Sequence, residues 1–451
     1  MPDYGYPDPG EDVIILADAK IEDGTVANVG RVDIISGSIT IADGGQLIHT
    51  NAGVVVTLEK DIIGYNESTS PTSWYTLSSP LFSSIKASSV VNLLENEYDL
   101  YRYDEPTHYW DNIEDPEGEG GGPVGYWETL DAGRGYLYAN QEDVTLQFKG
   151  IANHIGGSYT LTRDVWDGVL IGFHLVGNPF THDIYMDNAF STTATLADGY
   201  YILSNTGAWS AKLGSDEPIK PCQGVLVNAA QEGELTINKK VGPAAQTRSR
   251  ANNEFLTISV ANKNYEDVTY VSFDAITPLE KVNHQNKDIP MVYIPMEEAI
   301  YAIAAMEDDV KEIPVAFEAK TMGQYTISVK AENCEFESMY LVDRKTGVET
   351  DLLLEDYTFL ATTTDNSERF TIRLNDNNSD NEDFIFINNG EIIINEIEGK
   401  GVLQIFDVMG RYISHSEVSG SANISTEAFT SGVYIIRMTD DNGIKTQKVV
   451  L

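Results

Sequence analysis

The chain has 451 residues, too many for one ordinary hydrophobic core and enough for roughly three domains. It carries 70 acidic against 29 basic residues, a formal charge of −41 that repels phosphate backbones and anionic lipid and so argues against nucleic acid as a partner. No apolar run reaches the roughly 18 residues that a membrane span needs, so no membrane span is expected.

The 24 Tyr and 37 Gly, with many Asp, Asn, Ser and Thr, suit strands joined by tight turns, and the class expected is all-β. The acidity reads as solubility in an extracellular setting. Cys222 and Cys334 lie far apart and form no CxxC, so two buried thiols are expected rather than a disulfide or a metal site. The opening MPDYGYPDPG lacks the basic and apolar parts of a signal peptide, so the expectation is a truncated chain or an export signal that lies elsewhere.

Residues 1–63 alternate apolar and polar residues in short runs, VIILA, VDIIS, SITIA and VVVTLEKDI, which predict a β-solenoid-like segment. A solenoid end needs a cap or a neighbour, so a preceding module is expected. Residues 64–242 hold SWYTLSSPL, YDLYRYDEPTHYWDN, GRGYLYANQEDVTLQFKG and FHLVGNPF, which predict a β-sandwich with long aromatic-rich loops and few helices. Within it EDPEGEGGGPVG has nothing to bury and reads as an exposed loop. After a polar linker, PAAQTRSRANN, residues 254–374 resume regular strands and predict a second sandwich. NDNNSDNED, Asn375 to Asp383, then reads as a solvated linker; its oxygen ligands suggest calcium, but the spacing and glycine of an EF-hand loop are missing.

Residues 384–451 form a last strand-rich unit, with Asn442-Gly443 as a hairpin signal between its final strands, and predict a small immunoglobulin-like sandwich. LQIFDVMGRYI, SGVYIIRM and the terminal KTQKVVL, in this order, resemble the type A C-terminal sorting domain of type IX secretion cargo. Matching positions are Leu403, Phe406, Asp407, Gly410, Gly432, Val433, Tyr434, Lys448 and Val449. The resemblance implies a Bacteroidetes-type protein that crosses the periplasm. Its tail would be read by the type IX machinery at the outer membrane and cut by a surface sortase-like peptidase in or near residues 375–383. The protein would end secreted or at the cell surface. GSITIADGGQLIHTNAG, Gly37 to Gly53, resembles a connector of large surface proteins of the same kind, and the two sandwiches resemble uncharacterised modules found before such tails.

No GxSxG elbow, HExxH or GxxxxGK[ST] loop is present. His174 and His182 flank VGNPF beside Asp183 but read as structural. Asp111, Glu114, Asp115 and Glu117 near Trp110 read as a solvated loop rather than a glycosidase pair. Trp74, Tyr101, Tyr103, Tyr109, Trp110, Tyr126 and Trp127 form an aromatic cluster; core packing accounts for part of it, and Trp74, Tyr103, Tyr109, Trp110 and Trp127 are the candidate contacts to a glycan. The resulting expectation is a non-catalytic protein with no cofactor, serving display, adhesion or spacing. The alternative is a glycan-binding module accessory to an upstream peptidase or glycosidase domain.

Overall fold

Apolar runs only three residues long cannot hold a sheet together by sideways pairing of neighbours in sequence, and the N-terminal segment instead coils. In the computed structural model, which describes residues 7–65, 73–94, 97–113, 127–164, 170–214, 217–243, 254–296, 299–376, 385–388, 391–394, 400–407, 411–426, 429–430, 432–440 and 443–450, the strands Val13–Ile15, Ala19–Ile21 and Val26–Asn28 make one turn. Val32–Ile34, Ile39–Ile41 and Gln46–Ile48 make the next and pair with the first in parallel, Val13 opposite Val32, Ala19 opposite Ile39 and Val26 opposite Gln46. The inward residues of the second turn, Val32, Ile39, Ile41 and Leu47, are buried, whereas Val13, Ile15 and Ile21 of the first are only partly covered.

The corners of the coil are set by glycine. Gly37 has φ +85°, and a Cβ there would meet the Ala17 carbonyl carbon at 2.2 Å. Gly37→Ala should therefore cost at least about 1–2 kcal/mol from the left-handed backbone alone, read as a drop in urea midpoint, and an unchanged midpoint would rule out the tight corner.

Val55–Ile62 leaves the coil parallel to Ile39–Ile41 and pairs antiparallel along its length with Val144–Ile151. One core runs from Val29 and Ile41 to Leu77, Tyr136 and Phe148, so coil and following sheets are packed as a piece. Beyond it, Tyr109–Asn112, Tyr98–Asp104, Gly135–Asn140 and Tyr75–Ser78 form one antiparallel four-stranded sheet. Phe173–Gly177, Gly224–Gln231, Thr195–Leu203 and Trp209–Leu213 form another, and Gly156–Leu161, Gly233–Asn238 and Phe190–Thr192 a three-stranded one. Gly135–Asn140 is buried at every position because both its faces are covered, which is why GYLYAN lacks the alternation of a half-exposed strand. The single α-helix among the described residues is the four-residue Met186–Ala189. The protein is all-β, as its composition implied.

Residues 254–376 contribute an 11-stranded sheet running from Val348–Asp351 at one end of the order to Tyr357–Ala361 at the other. Its two halves close on a shared core of Leu256, Ile258, Ile313, Phe317, Tyr325 and Phe370. Buried polar groups join it to the preceding sheets. Lys281 Nζ lies 2.8 and 2.6 Å from the Asp267 carboxylate oxygens, and His284, whose Nδ1 accepts from the Trp209 amide at 3.1 Å, faces the same carboxylate. Tyr201 donates to the Glu280 carbonyl at 2.6 Å, and Arg163 pairs with Glu280 at 3.0 Å. Residues 1–375 accordingly form one compact unit, while the expected linker between the sandwiches falls mainly on 244–253, outside the described residues. Cys222 and Cys334 are free; the first is buried and the second half-buried.

The second unit, residues 376–451, has a three-stranded sheet of Ile385–Asn388, Glu391–Ile394 and Ala422–Ser425. A four-stranded sheet of Tyr412–Ser419, Lys400–Asp407, Val433–Asp440 and Gly443–Val450 completes it. Ile385, Ile392 and Ile394 from the first sheet meet Leu403, Ile405, Ile436 and Met438 from the second in one core. The final two strands pair antiparallel down to Asp440 opposite Gly443; Asn442 between them, and residues 377–383 of the acidic linker with the calcium idea attached to them, lie outside the described residues.

Candidate functional site

Of the positions matched to the sorting signal, Leu403, Phe406, Asp407, Val433, Tyr434, Lys448 and Val449 fall on three adjacent strands of the C-terminal four-stranded sheet. Leu403 is fully buried, Tyr434 and Val449 are buried, and Tyr434 pairs with both Asp407 and Val449 across its two strand neighbours. The Tyr434 hydroxyl donates to the Thr430 carbonyl at 2.8 Å and its ring meets Phe429 edge-on at 5.6 Å. Asp407 accepts from the Arg411 amide at 2.9 Å and its Nε at 2.6 Å, and Gly410 lies outside the described residues. Phe406 packs against Tyr412 at 6.0 Å. Gly432 and Val433 lead into the strand that pairs Val433 with Val450; Lys448 pairs through its backbone with Ile435, and its side chain lies outside the described residues. Leu403, Tyr434 and Val449 are thus core residues of the tail. Leu403→Ala should cost the tail about 2–5 kcal/mol, seen by calorimetry of the full chain as a lower melting transition of the tail alone. A tail transition that stays in place would mean Leu403 is not the packing residue described.

Of the aromatic cluster, Trp74, Tyr101, Tyr103 and Trp110 pack in one core, whereas Trp127 belongs to another. Trp127 is buried with one ring face stacked on Tyr136 at 5.3 Å and the Arg102 guanidinium 5.3 Å over it, so no face is left for a sugar. Tyr103 is also buried, with Trp110 tilted against it at 5.0 Å. Trp74 is half-buried against Tyr101 at 5.8 Å. Tyr109 is exposed, and Tyr126, with the whole acidic glycine-rich loop, lies outside the described residues.

Beside Tyr103 the fold opens a polar cleft of about 320 Å³. Four separate pieces of chain build it: the end of Tyr98–Asp104, the turn carrying Asp131 and Arg134, the strand Gly156–Leu161 with Ser158 and Tyr159, and His174 of Phe173–Gly177. Its floor is held by Glu105, a buried carboxylate that accepts from Thr162 Oγ1 at 2.6 Å and from the amides of Asp164 and Gly172 at 2.8 Å each. Burial alone would raise the Glu105 pKa, but these three bonds outweigh it and the net shift is downward. His174 Nε2 lies 2.8 Å from the Thr162 carbonyl and 3.0 Å from the Thr162 amide, and burial lowers its pKa. Sequence reading missed Asp104, Asp131, Arg134, Ser158 and Tyr159 because none sits in a recognisable motif; GRGYLYAN contained Arg134 without marking it.

His182 is buried too, but its Nδ1 donates to the Asp183 carbonyl at 2.8 Å rather than to the carboxylate, so the His182–Asp183 neighbours make no acid–base pair. No group of three or more His, Cys, Asp or Glu among the described residues is placed to hold a metal ion, and no described helix is long and apolar enough to cross a membrane.

Residues 367–451 match the family of secretion system C-terminal sorting domains, and no curated protein matches the chain. The tail is therefore a type IX sorting domain, itself non-catalytic, and the protein is a cargo of that secretion system, recognised by its machinery and delivered outside the cell or to its surface. The match begins upstream of the acidic linker, within the last turn and strand of the first unit.

Proposed function

We propose that residues 1–375 are a non-catalytic adhesion and display module, carried by its tail to the surface of a Bacteroidetes-type cell and kept there after a sortase-like peptidase cuts in or near residues 375–383. The observation that carries the reading is the sorting-domain match at the carboxyl end of a cross-braced all-β unit. A compact unit with buried ion pairs suits mechanical display, and the polar, acidic composition of residues 375–383 suits a peptidase cut. The tail, with two sheets facing across one core, is read as an immunoglobulin-like sandwich.

The test uses the full chain expressed in a bacterium with a type IX system and in its secretion-deficient derivative. Surface material from the competent strain should end, by mass spectrometry, between Asn375 and Asp383; a carboxyl terminus still at Leu451 would end the cleavage part. Beads coated with the purified chain should be retained on surfaces bearing mucin, polysaccharide or fixed cells, and retention on none of them would leave spacing as the role and remove adhesion.

A further inference from the structure

The cleft beside Tyr103 presents polar groups whose hydrogen-bonding capacity the protein itself does not use up. Arg134 donates one bond, from Nη2 to the Tyr103 carbonyl at 2.9 Å, and its guanidinium lies 5.6 Å over the Tyr159 ring. It has no carboxylate within ion-pair distance among the described residues, in a chain with 70 acidic side chains. Arginine carries five N–H donors, so most of the fork is open toward the cleft. Asp104 accepts from Thr107 Oγ1 at 2.7 Å and Asp131 from Thr129 Oγ1 at 3.2 Å, each through one of its two oxygens. Ser158 is exposed at the rim, and burial pushes the Tyr159 phenol above its ordinary pKa, which keeps it a neutral donor.

Acceptors and donors therefore line one opening that is mostly polar. A ligand that satisfies such a site must both donate and accept at several points, which is the property of a hydroxyl group repeated around a ring. Charge narrows the class. Three carboxylates, Asp104, Glu105 and Asp131, against one guanidinium leave the opening net negative within a protein of charge −41, so a carboxylated or sulfated ligand is repelled. Glu105 stiffens the site from below by fixing the segments around Thr162 and Gly172, so little ordering is needed on binding.

We propose that this cleft binds a neutral sugar unit of an oligosaccharide or polysaccharide, with Asp104 and Asp131 accepting from its hydroxyls and Arg134, Tyr159 and Ser158 donating to them. The proposal rests on the adhesion reading for its setting and supplies that reading with a ligand class. It differs from the aromatic platform expected from sequence, since of those rings only Tyr103 lines the cleft.

The full chain is run through native gels containing galactomannan, xyloglucan, mixed-linkage glucan or yeast mannan, with alginate as the anionic comparison. At least one neutral polymer should retard it, and Asp104→Asn, Asp131→Asn and Arg134→Met should each weaken the retardation about tenfold or more. Melting temperatures identify any variant that fails to fold, and Arg134→Lys keeps the charge if the methionine variant does. Retardation by alginate alone, retardation by no neutral polymer, or neutral retardation that survives the Asp variants and is lost in Trp110→Ala would each overturn the proposal. Bead adhesion without gel retardation ends the cleft proposal alone; gel retardation without bead adhesion ends the adhesion reading alone.

Discussion

Replacing Arg369 with methionine should destabilise the first unit by roughly 3–5 kcal/mol in urea unfolding, the largest effect expected of any single substitution considered. Its guanidinium donates from Nε and Nη2 to the two Asp343 oxygens at 2.8 and 2.6 Å, and from Nη1 to Asp365 at 3.0 Å and the Leu360 carbonyl at 3.1 Å. The rings of Phe359 and Phe370 stand 4.7 and 5.0 Å from its central carbon, so the cation is enclosed by aromatic faces as well as by carboxylates. Methionine fills the space but leaves Asp343, which has no exposed side-chain surface, as a buried and unpaired charge.

The cost lies in the orphaned carboxylate, so Arg369→Met combined with Asp343→Leu should recover much of the loss. A single substitution that costs under about 1 kcal/mol, or a double that is no better than the single, would show that the pair is screened by solvent. The same site sets an acid limit. Burial alone would raise the Asp343 pKa, but bonds from Arg369, Tyr357 and the Lys345 amide hold it well below the carboxylate range. Its stabilisation is complete above its unfolded value near 4 and is lost as pH falls through the lower folded value.

A second acid transition should appear at milder pH, where the coil meets the sheet unit. Thr181 donates from Oγ1 to the Leu47 carbonyl at 2.7 Å, Leu47 donates back to the Thr181 carbonyl at 2.9 Å, and Lys239 donates to the His49 carbonyl. His49 and His182 are both buried at this contact, each with its Nε2 unpartnered among the described residues, and His154 stands near. Burial, then the neighbouring Lys239 ammonium, lowers the His49 pKa from 6.5 to about 4; burial chiefly does the same to His182, also to about 4.

A folded pKa below the unfolded one means that stability is full above pH 6.5 and falls as pH drops toward 4, because the unfolded chain binds the protons first. Each imidazole contributes on the order of 3 kcal/mol over that interval, and the two together give a slope of about 2.7 kcal/mol per pH unit. His49→Gln with His182→Gln should flatten the stability profile between these limits while leaving the Asp343 limb at lower pH. Equal slopes in parent and double variant would place the titration elsewhere.

The alternation of EIIINEI, VLQIFD and VYIIRM and the sorting-domain character of the tail were legible in the sequence, because the strands that carry them are neighbours along the chain. The all-β class was equally legible, since a period of two residues is a local property that survives any packing. Aromatic content was a poorer guide. Trp127 and Tyr103 sit in aromatic-rich segments as if exposed, yet their rings close the core, and only cross-strand partners such as Tyr136 and Arg102 decide that. Likewise GYLYAN could be read as a strand, but not that both its faces would be covered.

By itself the sequence determined where strands form, the acidity of the surface and the address carried by the last residues. Only the tertiary structure brought Asp104, Asp131, Arg134 and Tyr159 to one opening, His49 to His182 and Lys239, and Arg369 to Asp343. The reason is physical: strand propensity and patterning act over a few residues, whereas convergence of side chains depends on the register of strands distant in sequence, where a slip of one residue turns every side chain to the opposite face.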